Sequence, residues 1–251
     1  MAQSGSGRIR LFNDFCGPEI PIATAVAYGT SAGGCNYYLG DFTVRGTLED
    51  TACGVISVAK ASGYARLATD DDTDGLGIWV GSELVFSPVL NGTLTVEARL
   101  EMPALTARVV FVGFMGTLAD ATAEPLRSSV ATFTAVASHY CGFLFDSQLT
   151  TDQNEWHMPY LGGSTTGPTV STDVDSGVVA VAEESDVLRL EIDSDGTARW
   201  YINGDLKQTV AGAVSTTTLQ AGGVGIWNTS AVTGLVDVDY LEVTANRDWT
   251  R

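Results

Sequence analysis

Apolar and polar side chains alternate with a period of two along most of the chain, the spacing that puts one face of a strand in a core and the other in water. Between residues 93 and 100 the alternation is clean: Leu94, Val96, Ala98 and Leu100 fall on one side, Thr95, Glu97 and Arg99 on the other. Residues 108–115 are almost continuously apolar and short, which predicts a central strand covered on both faces. Leu188, Leu190 and Ile192 alternate with Arg189 and Glu191; Asp195-Gly196 then turns the chain, residues 197–202 return, and Asn203-Gly204 turns it again. Asp-Gly and Asn-Gly between alternating runs are strong hairpin signals, so this stretch predicts an antiparallel meander. A last strand is predicted over 236–243, with Asp237 and Asp239 on its wet face. Only 119–124, stopped by Pro125, reads as a helical turn. The Gly-Gly pairs at 33–34, 162–163 and 222–223 lack a strand-to-helix setting and read as turns. Residues 162–177 read as a long polar loop, and the first 50 residues, rich in Gly and aromatics, as an arm with the first strands.

Many short strands joined by turn chemistry, with almost no helix, predict an all-β, antiparallel two-sheet sandwich. A chain of 251 residues suits one such unit, divided into an N-terminal arm and first strands (1–50) packing on a sandwich body (51–251). The strand–Asp-Gly–strand–Asn-Gly pattern over 187–204 resembles the hairpin of concanavalin A-like lectin/glucanase jelly rolls, which implies that fold. Residues 27–38, 164–173 and 237–249 are similar to proteins from the virion gene clusters of tailed bacteriophages, which implies a virion structural component.

Charge narrows the partners. Thirty acidic residues against 13 basic ones give −17, which disfavours nucleic acid and anionic membranes. No apolar run is long enough for a signal peptide or a membrane helix, so synthesis in the host cytoplasm is expected. Cys16, Cys35, Cys53 and Cys141 lack metal-ligand spacing and are expected as buried free thiols.

Three constellations carry candidate chemistry. Glycoside hydrolases with this jelly roll use a Glu-x-Asp-x-Glu strand; here Glu191 and Asp193 match, but Asp195 replaces the last Glu and precedes Gly196, which reads as a turn residue. No catalytic set is therefore assigned. Asp70, Asp72 and Asp74 match the first half of a calcium loop, without its closing Glu, and read either as a calcium site or as a solvated turn. Trp156 and Tyr160 are candidates to stack on a sugar ring, against packing in the core. His139 and His157 read as structural, and a Cys–His dyad finds no support.

The resulting expectation is a non-enzymatic virion protein, a capsid-decorating (cement) protein on the capsid exterior. Its expected partners are the major capsid protein and copies of itself, in a homo-oligomer such as a trimer, and it takes no cofactor beyond calcium. Arg8, Ile9, Arg10, Leu11 and Phe12, with Arg247 and Trp249, are the expected contact residues. The alternatives are a glycan-binding module of a tail or fibre using Trp156 and Tyr160, and a glycan hydrolase using Glu191 and Asp193.

Overall fold

In a computed structural model, residues 7–16, 37–46, 54–58, 60–69, 77–118 and 124–247 are described. The strands, in chain order, are β1 (Arg8–Asn13), β2 (Tyr37–Leu39), β3 (Phe42–Gly46), β4 (Gly54–Ser57), β5 (Ala65–Ala68), β6 (Gly77–Gly81), β7 (Leu94–Glu101), β8 (Arg108–Met115), β9 (Leu126–Ser129) and β10 (Thr132–Ala135). They continue as β11 (Tyr140–Asp146), β12 (Glu155–His157), β13 (Tyr160–Leu161), β14 (Asp175–Val179), β15 (Ser185–Ile192), β16 (Ala198–Ile202), β17 (Asp205–Val210), β18 (Ala221–Asn228) and β19 (Leu235–Asn246). One helical turn, α1 (Pro88–Asn91), starts at a proline, whose fixed φ suits a first helical position.

The strands form two large antiparallel sheets. The first runs β17-β16-β15-β7-β19-β5-β4, with β1 also paired to β19. The second runs β14-β12-β11-β8-β18-β6-β3-β2, with β13 also paired to β11. A separate hairpin, β9–β10, bridges to the second sheet's surroundings through Thr132↔Val170. This is the all-β, antiparallel two-sheet sandwich that the periodicity predicts, with the jelly-roll form that the 187–204 resemblance implies.

The two kinds of strand pattern land in different places. β7 is alternately buried and half-buried along all eight residues, with Leu94, Val96, Ala98 and Leu100 turned into the core. β8, between β11 and β18, is buried at every position, as its unbroken apolar run requires. The Asp195-Gly196 and Asn203-Gly204 turns join β15 to β16 and β16 to β17. Asn203 and Gly204 take φ of 53° and 89°, the left-handed values a two-residue hairpin needs. Asp195 is a turn residue: its carboxylate accepts the Thr197 N–H at 2.9 Å.

Several expectations are corrected. Residues 8–12 form a regular strand rather than an irregular arm. They belong to β1, registered residue by residue from Arg8↔Asn246 to Asn13↔Leu241. Ile9 and Leu11 are half-buried against the core there, and Ile9 still lines the groove on the sheet's outer face. Gly222 and Gly223 are not a turn but lie inside β18, where a Cβ on Gly223 would sit 2.3 Å from the Val80 carbonyl. Asp237 is not wet: it is 0% exposed, held by Arg66 at 2.6 Å and Lys60 at 2.7 Å. Cys16 is an exposed free thiol that donates to the Ser62 carbonyl, whereas Cys141 is buried and free as expected. Asp70, Asp72, Asp74, Trp249, Cys35, Cys53, the glycines at 33–34 and residues 119–123 lie outside the described residues.

Candidate functional site

The outer face of the first sheet carries many polar side chains, because alternation sends every second residue of five strands outward. β7 contributes Thr95, Glu97, Arg99 and Glu101; β15 contributes Arg189 and Glu191; β16 contributes Arg199 and Tyr201. β19 adds Tyr240, Glu242 and Thr244 beyond a bulge between Val238 and Tyr240, and β1 adds Arg8, Arg10 and Phe12. A groove of about 650 Å³ lies between Arg8, Arg10, Thr95, Glu97, Arg189 and Glu242, among others. Glu97, Arg189 and Glu191 also line a second hollow of about 340 Å³ that reaches Val187 and Tyr201.

Each carboxylate on this face already accepts from a cation or a phenol. Arg10 Nε donates to Glu242 at 2.6 Å, and Arg99 Nη1 to Asp239 at 2.5 Å. Glu191 accepts from Arg189 on one oxygen and from the Tyr201 hydroxyl at 3.3 Å on the other. Asp193 accepts from Arg199. Glu97 accepts from the Tyr240 hydroxyl at 2.7 Å and faces Arg189 at 3.6 Å. The Asp193 bond raises the pKa of Arg199, and the Asp239 bond that of Arg99. Burial, then the Glu97 bond, pushes the Tyr240 phenol well above its usual value. Arg10 lies 4.6 Å from the Phe12 ring centre, a cation–π contact, and Phe12 packs on Tyr240 at 6.3 Å.

The sequence-predicted residues divide accordingly. Glu191 and Asp193 share this outer face, while Asp195 sits in the turn beyond it. Arg8 and Arg10 stand at the groove, with Phe12 beside Arg10, and the Arg247 N–H closes onto the Gly7 carbonyl at 3.0 Å just past β19. Trp156 is corrected outright: it is 0% exposed, its Nε1–H donates to Asp186 at 2.9 Å, and no ring face is open to a sugar. Tyr160 is half-buried against Trp200, with ring centres 6.0 Å apart. His139 bonds Ser138 at 2.8 Å and Thr218 at 3.4 Å, while burial raises the Cys141 thiol pKa, the reverse of an activated nucleophile. Glu97, Tyr240, Glu242 and Tyr201 were missed by motif reading. Their signal lay in the register, since polar residues on alternate positions of β7 and β19 meet only once those strands pair.

A second polar cluster sits at the edge of the other sheet. One carboxylate oxygen from each of Asp152, Glu155 and Asp175 lies within 4.8 Å of the other two. Glu155 is pushed up to about 7 by its hydrogen bond with Asp175, by burial and by the charges of Asp175 and Asp152.

The sandwich is of the concanavalin A-like lectin/glucanase type. The sequence matches no protein-family model, and no curated protein matches it. Among solved structures, it is similar to a protein of unknown function from Shewanella oneidensis MR-1 (TM-score 0.59, 12% identity, 100% of this chain and 92% of that one). It is also similar to a β-glucanase of Bacillus licheniformis (TM-score 0.53, 14% identity, 96% and 99%). A third likeness is to the carbohydrate recognition domain of Emp46p in its potassium-bound form (TM-score 0.52, 10% identity, 82% and 88%). At these identities the likeness establishes the fold.

Proposed function

We infer that this chain is a non-enzymatic virion structural protein, a capsid-decorating protein that docks through the outer face of its first sheet. The observation that carries the reading is the saturation of that face. Of the two residues that align with a hydrolase strand, Glu191 accepts on both oxygens, from Arg189 and Tyr201, and Asp193 accepts on one, from Arg199. A hydrolase needs one carboxyl free to deliver a proton and a second free to attack or activate water. A face of engaged acids and guanidinium groups suits recognition of another surface, in which charge pairs set register and orientation. The likeness of residues 27–38, 164–173 and 237–249 to phage virion gene products supplies the setting. Arg8 and Arg10, with Phe12 beneath Arg10, are the contact residues on which this reading rests.

The test adds purified chain to capsids assembled without it and measures occupancy by sedimentation. Wild-type protein should saturate the lattice, and the double variant Arg8→Glu, Arg10→Glu should bind at least about tenfold more weakly. Wild-type protein that stays unbound refutes decoration; full occupancy by the double variant refutes this face as the contact.

The same outer face, with Tyr201 lining its second hollow, favours a second reading, a glycan-binding module. Phe12, Tyr201 and Tyr240 are the aromatic groups on that face, set among the acceptors and donors that sugar hydroxyls require. Binding to a host polysaccharide that is lost in Tyr201→Ala would establish it, and a flat glycan screen would dismiss it.

A further inference from the structure

The cluster at the edge of the second sheet stands apart from the groove. Residues 150–154 turn into β12, with the Glu155 N–H donating to the Asp152 carbonyl at 2.9 Å, which brings the two side chains together. β14 runs antiparallel to β12 and sets Asp175 opposite His157 and Val179 opposite Glu155, with a register shift between. The hairpin β9–β10 folds over this corner. The Phe133 N–H donates to Thr169 at 2.9 Å and the Ser171 N–H to Ala131 at 2.9 Å, and the Phe133 ring meets the His157 ring edge-on at 6.3 Å.

Two features here do not close on protein groups alone. Carboxylates in direct contact cannot both be charged without a proton or a cation between them. Glu155 Oε2 is buried without a hydrogen-bond partner. Independently, His157 is 0% exposed and neither ring nitrogen makes a well-formed hydrogen bond, although backbone groups of Leu144 and Glu155 lie near the ring. A buried imidazole left in that state is costly. As the cross-strand partner of Asp175, it presents its ring on the same side of the sheet as that carboxylate. The charges of Asp175 and Asp152 both act on it.

We propose that Asp152, Glu155 and Asp175 form a binding site for a hard divalent cation, calcium being the type, with His157 as the buried acceptor for a water carried by that ion. Three carboxylates supply the oxygen donors such an ion requires, and its remaining positions are filled by water. Water on a cation is a strong donor, and one placed toward His157 satisfies an imidazole nitrogen left without a well-formed hydrogen bond. The ion would tie the 150–154 turn, β12 and the edge strand β14 together, beneath the β9–β10 cover. This site is distinct from the aspartates at 70, 72 and 74.

The experiment is calcium chloride titration of the full-length, chelator-treated chain at neutral pH by calorimetry, with thermal melts in parallel. One ion per chain should bind with a dissociation constant of roughly 0.1–1 mM. About 5 mM calcium should raise Tm by about 3–5 °C. Asp175→Asn and Glu155→Gln should each weaken binding at least about tenfold. Both relieve a like-charge contact, so in chelator they should melt at or above the wild-type temperature, which separates loss of binding from loss of folding. Absence of calcium binding to the wild type overturns the proposal. So does binding that survives both substitutions or that disappears in Asp72→Asn.

Discussion

At the scale of single residues, the Glu155–Asp175 pair makes stability depend on pH in a definite direction. The bond to Asp175, burial and neighbouring charges hold the Glu155 carboxyl near 7, against a usual value of 4.5. Asp175 moves the other way: burial opposes the shift, but the bond from Glu155 and the Gly177 N–H outweigh it. The two share a proton and titrate as a unit. The folded chain therefore holds a proton that the unfolded chain has released between about pH 4.5 and 7. A raised carboxyl pKa gives stability that is present below the unfolded value and is lost as pH rises through the folded one. In chelating buffer, Tm of the wild type should fall between about pH 5 and 7 more steeply than that of Glu155→Gln, measured by scanning calorimetry; parallel slopes would show the pair carries no such proton. Neither the pair nor Trp156 was legible in the sequence. Glu155-Trp156-His157 shows two aromatic-type side chains beside an acid, and only the strand's period, read with its neighbours, sends Trp156 inward to Asp186 and the other two outward.

At the scale of elements, the second sheet depends on a row of glycines. Gly81, Gly223, Gly113 and Gly142 pair in register across β6, β18, β8 and β11. A Cβ on Gly113 would fall 2.3 Å from the Cys141 carbonyl and 2.5 Å from Gly142 Cα, and one on Gly142 would fall 2.5 Å from the Phe111 ring. The row lets aromatic rings lie flat over the backbone, and it leaves the Gly142 carbonyl open to the Trp200 Nε1–H at 2.8 Å from the opposite sheet. Gly113→Ala should cost about 3 kcal/mol by denaturant unfolding, since backbone rather than a flexible side chain stands in the way. Gly177→Ala, with nothing within 4 Å of its Cβ but a φ of 65°, should cost only about 1 kcal/mol. Equal costs would mean that the sheet yields to the added carbon. The strands that alternate, and the Asp-Gly and Asn-Gly hairpins, were legible because their cause is local. The glycine row was not: Gly222-Gly223 looks like a turn until the strands on either side supply the reason for it.

At the scale of the whole molecule, charge is divided unevenly. Arg8, Arg10, Arg66, Arg99, Arg189 and Arg199 stand on the outer face of the first sheet and Lys60 reaches onto it, seven of the chain's 13 basic residues. They meet Glu97, Glu101, Glu191, Asp193, Asp237, Asp239 and Glu242, seven of its 30 acidic ones. Among the described residues the face is thus neutral, against −17 for the chain as a whole. A neutral, internally paired face is where an acidic body can meet another surface with least repulsion. Salt decides between the two electrostatic terms. Most pairs on the face are partly exposed and worth about 0–1 kcal/mol each, whereas Asp237, at 0% exposure beneath Arg66 and Lys60, is shielded from ions. Self-repulsion of the remaining acids acts over distances comparable to the Debye length of about 10 Å at 0.1 M salt, so it is the term that screening relieves. Raising sodium chloride from about 0.02 to 0.2 M should therefore raise Tm. Replacing Asp237 by Asn should lower Tm by a similar amount at both concentrations, because a buried acceptor of two cations is lost whatever the bulk salt. A wild-type Tm that falls with salt would mean that the paired face, and not the acidic remainder, dominates the balance, and the case for that face as the docking surface would lose its electrostatic basis.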